Sequence, residues 1–130
     1  MQKGVVVTLY EKYGGFATIH SIVQNFYDDV LAEDSLRPYF DRVNMTFLLN
    51  HQTEFLSQVL GGPFQFTGKT LREAHQHLYI KKSDFELVAQ LLRENLEDFE
   101  FEKEDIETVM ELIAATLPEI VFESESSSQE

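Results

Sequence analysis

Two of the chain's four histidines, His75 and His77, stand two apart in the segment 71–80, LREAHQHLYI. A pair so close invites a metal-ligand reading. On a helix, though, each residue turns the chain by about 100°, so residues two apart point about 160° away from each other. They cannot close on one ion. Leu71, Ala74, His75 and Leu78 share a face, which makes His75 the imidazole expected inward and His77 the one expected at an edge or in solvent.

Three more polar residues interrupt apolar patterns. Phe16, Ile19, Val23 and Val30 form one helical stripe, and Tyr27 falls in its middle, where a phenol needs a hydrogen-bonding partner. Leu48, Phe55 and Val59 form a second stripe that contains Gln52, with His51 on its flank. Each of these has an ordinary structural use. Tyr27 can bond a backbone carbonyl, Gln52 can bond Tyr27, His51 can lie on the surface, and a lone inward histidine is commonly a satisfied core residue. His20 carries no signal of its own. Taken together, one inward histidine on one helix and an inward Tyr and Gln on two others describe opposite sides of a cavity. With no cysteine, no carboxylate pair at metal spacing and no second inward histidine on that helix, a bare metal ion lacks ligands. A haem brings four nitrogens and needs one axial imidazole.

The elements that must hold these residues are helical, since the apolar residues recur at helical spacing and do not alternate. A short helix is expected over Thr8–Tyr13, stopped by Gly14-Gly15. A longer one runs from Phe16 to Leu31. Asp34 is expected to cap the turn SLRPYF, and Thr46 to cap a helix through Leu60 that GGP at 61–63 ends. Thr70 with Glu73 opens the helix carrying His75, and Ser83 with Glu86 opens the next, through Glu97. A last helix runs from Asp105 to Phe122, bent by Pro118. The expectation is one all-α domain over residues 1–122, with 123–130 as a disordered acidic, serine-rich tail.

Composition narrows the classes. The 130 residues suit one domain, and eleven phenylalanines without a tryptophan suggest bulky apolar filling. A net charge of −13 argues against nucleic acid and against anionic membrane surfaces. No apolar run approaches the roughly 20 residues that span a bilayer. The N-terminal apolar patch is too short for a secretory signal, and a cytoplasmic location is expected. The acidic surface serves solubility or meets a basic partner.

The ordered pieces of the chain resemble a truncated haemoglobin of group I, the small globins whose helices form a two-over-two sandwich around haem. The resemblance covers about residues 7–121 and rests on LYEKYGG, VQNFYDDVLAEDSLRPYF, NMTFLLNHQTEFLSQVLGGP, FTGKTLREAHQHL and DFELVAQLLRENL in that order. It implies haem b, with His75 as the proximal iron ligand and Tyr27 as the distal donor to the bound gas. Gln52 stands at the second distal hydrogen-bonding position. Phe40 stands at the phenylalanine that wedges against the porphyrin, and Leu48 at the position that is histidine in ordinary globins. His51 stands where some members carry a histidine that binds the iron when no gas is present. Phe47, Phe55 and Leu78 are implied in the lining, and Lys69 and Arg72 near the propionates. No histidine follows His77, so the covalent haem linkage of some members is not expected. The acidic stretch 97–107 and the acidic tail are not part of the family's pattern.

The function so implied is reversible binding of O2, NO or CO, with conversion of NO to nitrate as the associated chemistry. A separate reductase is then required, because no flavin- or nicotinamide-binding pattern is visible. A monomer is expected. Two alternatives stand beside it: a haem-based sensor or electron-transfer protein with His51 on the iron, and a haem-free helical interaction module in which Tyr27, Gln52 and His75 satisfy one another.

Overall fold

The computed structural model describes residues 7–62 and 79–117. Within them lie α1 (Leu9–Lys12), α2 (Phe16–Ala32), a 3-10 turn (Arg37–Phe40), α3 (Met45–Val59), α4 (Lys82–Asp98) and α5 (Lys103–Ala114). The fold is all-α, as expected. The expected helix carrying His75 and the tail fall outside the described residues.

Local chemistry sets each start and stop. Thr8 and Glu11 form a reciprocal capping box that fixes the one-turn helix α1. Gly14 and Gly15 then take φ of 107° and 75°, a left-handed backbone that side chains resist, and turn the chain into α2. The second glycine pair brings α3 back against α1: the Tyr10 N–H bonds the Leu60 carbonyl at 2.9 Å. A Cβ at Gly62 would sit 2.8 Å from the Tyr10 ring and 2.9 Å from the Ser57 carbonyl oxygen.

Three expected caps are corrected. Asn44, not Thr46, caps α3, its side chain accepting from the Phe47 N–H at 3.0 Å. Asp34 does not cap the 3-10 turn, which follows Leu36 without a side-chain cap; its carboxylate pairs with Arg37. Ser83 lies inside α4, whose N-cap is Lys81. A capping box needs extended backbone at its first residue, and the chain is already helical at Ser83. The last helix, α5, starts at Lys103 and ends at Ala114, upstream of Pro118; the Thr116 hydroxyl bonds the Ile113 carbonyl beyond its end.

The core forms around α2, which buries Ile19, Ile22, Val23, Phe26, Tyr27 and Val30. It packs on α3 and on α4, and α4 packs on α5, so the pairs α2–α3 and α4–α5 join through α2 and α4. Leu56 and Leu60 at the end of α3, Leu91, Leu92 and Leu96 of α4, and Ile106 and Val109 of α5 complete the cluster. Each such aliphatic side chain contributes about 1.5–3 kcal/mol on full burial. Asn95 is buried too, and is satisfied by donating to Asp29 of α2 at 2.9 Å and to the Leu91 carbonyl at 3.0 Å.

The helical wheel placed two stripes imperfectly. Phe16, expected at the head of the α2 stripe, is 39% exposed. On α3 the expected inner residues Leu48, Phe55 and Val59 are half-buried, whereas Thr53, Leu56 and Ser57 are buried. The helix has two neighbouring apolar sectors, and periodicity does not say which one meets α2.

The acidic stretch 97–107 is partly neutralised from within. The Lys12 ammonium sits 3.0 Å from Glu102 and 2.7 Å from Asp105. The Tyr13 ring stacks on Phe101 at 3.7 Å, its hydroxyl donating to Asp105 and accepting from the Glu102 N–H. Arg93 pairs with Glu107 at 2.9 Å. These contacts clamp α1 to the turn between α4 and α5.

Candidate distal gas-binding site

Tyr27 comes from the buried face of α2, Gln52 from the half-buried sector of α3, and the two meet where the helices pack. The Gln52 amide nitrogen donates to the Tyr27 hydroxyl oxygen at 3.3 Å. Two further rings pin the phenol edge-on: Phe26 at 4.8 Å and Phe40 of the 3-10 turn at 5.8 Å. Burial pushes the Tyr27 phenol up to about 12, and the Gln52 bond pulls the other way without offsetting it. Tyr27 is therefore a neutral hydroxyl at physiological pH. Its oxygen accepts from Gln52, and its own proton has no acceptor among the described residues.

The adjoining side of α3 is apolar. Leu48 and Val59 are half-buried and pack on the core, and Phe55 is half-buried one turn beyond Gln52. Phe47 is 68% exposed, so it stands at the rim of this surface. Its ring lies near-parallel to that of His51, 5.7 Å apart and 16° between planes, and His51 is half-buried. The structure thus brings Gln52 and Phe40 onto Tyr27 and pairs the rings of His51 and Phe47, with Leu48 and Phe55 half-buried on the same helix as Gln52. Lys69, Arg72, His75 and Leu78, and with them His77, lie outside the described residues.

The residue patterns missed one participant. Tyr39, half-buried beside Phe40, donates to Asp84 of α4 at 2.6 Å and accepts from the Lys81 N–H at 3.4 Å. Burial, then the Asp84 carboxylate, raises its phenol above the usual range. A four-residue turn has no period to read, so no wheel assigns Tyr39 a face. Pro38 within the turn was the only local mark.

A buried phenol whose proton has no acceptor among the described residues, near a half-buried apolar surface of α3, suits a flat apolar group that presents a small polar ligand to Tyr27. Comparison with known proteins bears on what that group is. The model of a family described as bacterial-like globin matches residues 8–121. The chain is similar to a group 1 truncated hemoglobin of Tetrahymena thermophila, 40% identical over 79 residues, which are 61% of this chain and 65% of that one. It is also similar to a group 1 truncated hemoglobin of Mycolicibacterium paratuberculosis, 35% identical over 66% of this chain and 63% of that one. Both matches span less than two thirds of the relative's own length. Among solved structures, the truncated hemoglobin of Tetrahymena pyriformis in its Fe(III) form superposes with a TM-score of 0.84 at 28% identity, over 90% of this chain and 100% of that one. The 2/2 hemoglobin of Synechococcus, with covalently attached heme, gives 0.79 at 29% identity over 83% and 91%.

Proposed function

The chain belongs to the bacterial-like globin family, as a group 1 truncated haemoglobin, and from that premise we propose that it holds haem b and binds a diatomic gas beside Tyr27, with oxidation of NO to nitrate as its chemistry. The observation that carries the reading is the Tyr27–Gln52 pair: a buried neutral phenol whose oxygen is taken and whose proton has no acceptor among the described residues. When bound, haem supplies an iron that takes up the gas.

The chain's own residues do the rest. The Tyr27 hydroxyl donates to a ligand that gathers negative charge, as O2 does, and Gln52, by donating to the same oxygen, makes that hydroxyl a stronger donor. Burial keeps the bond from competing with water. Leu48 offers no hydrogen bond, so discrimination falls to Tyr27 and Gln52. Phe40 and Phe55 supply apolar cover for the porphyrin, with Phe47 at its rim. In this reading His75 would hold the haem iron, and Lys69, Arg72 and Leu78 would be further haem-binding residues. A separate reductase returns the electron that each NO turnover consumes. The decisive experiment is stopped-flow mixing of the O2-loaded ferrous protein with NO, followed by nitrate assay. Stoichiometric nitrate is expected, and its absence rejects the NO chemistry. A purified protein that shows no Soret band, even after haem is added, rejects haem itself and restores the haem-free interaction module.

One observation favours a second reading. His51 is half-buried next to Gln52 on the same helix, its ring beside that of Phe47. If its imidazole would also hold the haem iron at rest, gas entry would wait on its departure, and binding would be slowed in proportion to the open fraction. His51→Ala then converts a low-spin resting spectrum to high-spin and accelerates CO binding. A wild-type protein already high-spin, with neither spectrum nor CO rate altered by His51→Ala, rejects the sensor reading.

A further inference from the structure

We propose that Tyr39 is a positioning residue for the gas site: its hydrogen bond to Asp84 holds the 3-10 turn against α4 and so keeps Phe40 edge-on to Tyr27. The inference rests on the reading of Tyr27 as the donor to the gas.

The turn Arg37–Phe40 is four residues long, and a 3-10 segment of that length has little stability of its own. Its remaining hydrogen bonds among the described residues stay close along the chain, backward to Leu31, Glu33, Asp34 and Leu36 and forward to Asp41 and Val43. The Arg37 guanidinium bonds Asp34 and, at 3.0 Å, the Leu31 carbonyl at the end of α2. The Tyr39 N–H bonds the Leu36 carbonyl. Of the turn's own side chains, Tyr39 is the one whose hydrogen bonds among the described residues reach across to α4, at Asp84 and at the Lys81 N–H. Asp84 lies in the first turn of α4, where the helix N-terminus favours a carboxylate and helps to hold it still. The anchor is therefore rigid and the turn is the part that needs anchoring.

Phe40 follows Tyr39 directly, and its ring meets Tyr27 at 5.8 Å and 79°. Tyr27 has few other restraints at its polar end. Among the described residues its one hydrogen bond, to Gln52, is long at 3.3 Å. Direction of the phenol is thus set by the rings around it, and of the two described, Phe26 and Phe40, it is Phe40 that comes from outside α2. Releasing Tyr39 lets Phe40 withdraw and lets Tyr27 swing from the line along which it donates. The same anchor begins just past the segment that carries His75, so a shift at the start of α4 reaches the distal phenol through Tyr39.

The test uses full-length purified protein and the variants Tyr39→Phe, Asp84→Ala and both together. Tyr39→Phe keeps the ring and removes only the hydroxyl, and Asp84→Ala removes the acceptor, which an asparagine would leave in place. Each single variant is expected to speed O2 dissociation by roughly three- to tenfold, the scale of a weakened hydrogen bond to a polar ligand. CO dissociation should change by less than about twofold, and the double variant should match Tyr39→Phe alone, because each single variant already removes the bond between the two side chains. With tyrosines labelled by carbon-13, the ring signals of Tyr27 should move in both single variants while those of Tyr13 stay in place. Unchanged O2 rates, O2 and CO rates rising alike, or additive effects in the double variant overturn the proposal. A protein that takes up no haem defeats the haem reading instead. The ring signals then still decide: displaced Tyr27 signals support the positioning role, and unmoved ones overturn it. Should Tyr39→Phe fail to fold, Asp84→Ala carries the same measurements.

Discussion

Tyr13 and Tyr27 are both phenols drawn into the fold, and burial is the first cause that pushes each above the ordinary tyrosine range. They differ in what becomes of the proton. Tyr13 donates to Asp105 and accepts from the Glu102 N–H, with its ring stacked on Phe101. Tyr27 accepts from Gln52 and has no acceptor for its own proton among the described residues. The first hydroxyl is spent on joining α1 to the α4–α5 turn. The second is buried at a cost that the protein's own partners only half repay, which is the arrangement a ligand can complete. The lesson is that exposure and pKa alone do not separate a structural phenol from a functional one; the count of satisfied lone pairs and protons does.

The largest expected effect removes what Tyr27 is held to act upon. His75→Gly should abolish haem retention, while His77→Ala should retain haem at close to the wild-type ratio, measured as Soret absorbance per protein after desalting. Equal loss in both would break the assignment of His75, and with it the reason for contrasting the two tyrosines.

Next in size is the contrast itself. Tyr27→Phe should speed O2 dissociation by about tenfold or more, since losing one hydrogen bond to a polar ligand costs roughly 1.4 kcal/mol or above. CO should respond far less, and folding stability should hold or rise slightly. Tyr13→Phe should do the reverse: no change in gas rates, and a loss of about 0.5–1.5 kcal/mol in a denaturant titration. Equal O2 and CO responses in Tyr27→Phe would make that residue a steric element. A gas-rate effect in Tyr13→Phe would dissolve the distinction between the two regions.

The smallest effect sharpens the structural half. Asp105 is held below its ordinary value of 3.8, first by its hydrogen bond from Lys12 and then by that from Tyr13, against a smaller opposing effect of burial. A carboxylate lowered in the fold binds its proton less tightly there than in the unfolded chain. Its contribution to stability is full above the unfolded value and drains away as pH falls through the folded one. Asp105→Asn should therefore flatten the acid limb of a stability–pH curve below about pH 4, while leaving the site's O2 and CO rates unchanged at neutral pH. A limb of unaltered slope would mean that the clamp contributes nothing to acid sensitivity.

Much of the site was legible in the residues because helices report their geometry at fixed intervals. Tyr27 interrupts an apolar stripe of α2, and Gln52 interrupts one of α3. That each needed a partner followed from burial alone, and the structure pairs them with each other. The double glycines that turn the chain were equally plain, since Gly14, Gly15 and Gly61 take a positive φ that residues with a side chain rarely adopt. Periodicity fixes angles within one helix, however, and carries no information about which sector meets a neighbour. Only tertiary packing decided that Thr53 and Ser57 of α3 are buried while Leu48 and Phe55 stay half-buried. Only packing brought Tyr39 to Asp84 across 45 residues of chain, and Lys12 and Tyr13 to Asp105 across more than 90. Such pairs leave no local trace, because a hydrogen bond between distant segments depends on the paths of both. The sequence by itself determined the helices, their glycine hinges and the polar residues that must find partners; the tertiary structure decided which partner each one found, and so which tyrosine still has a proton to give.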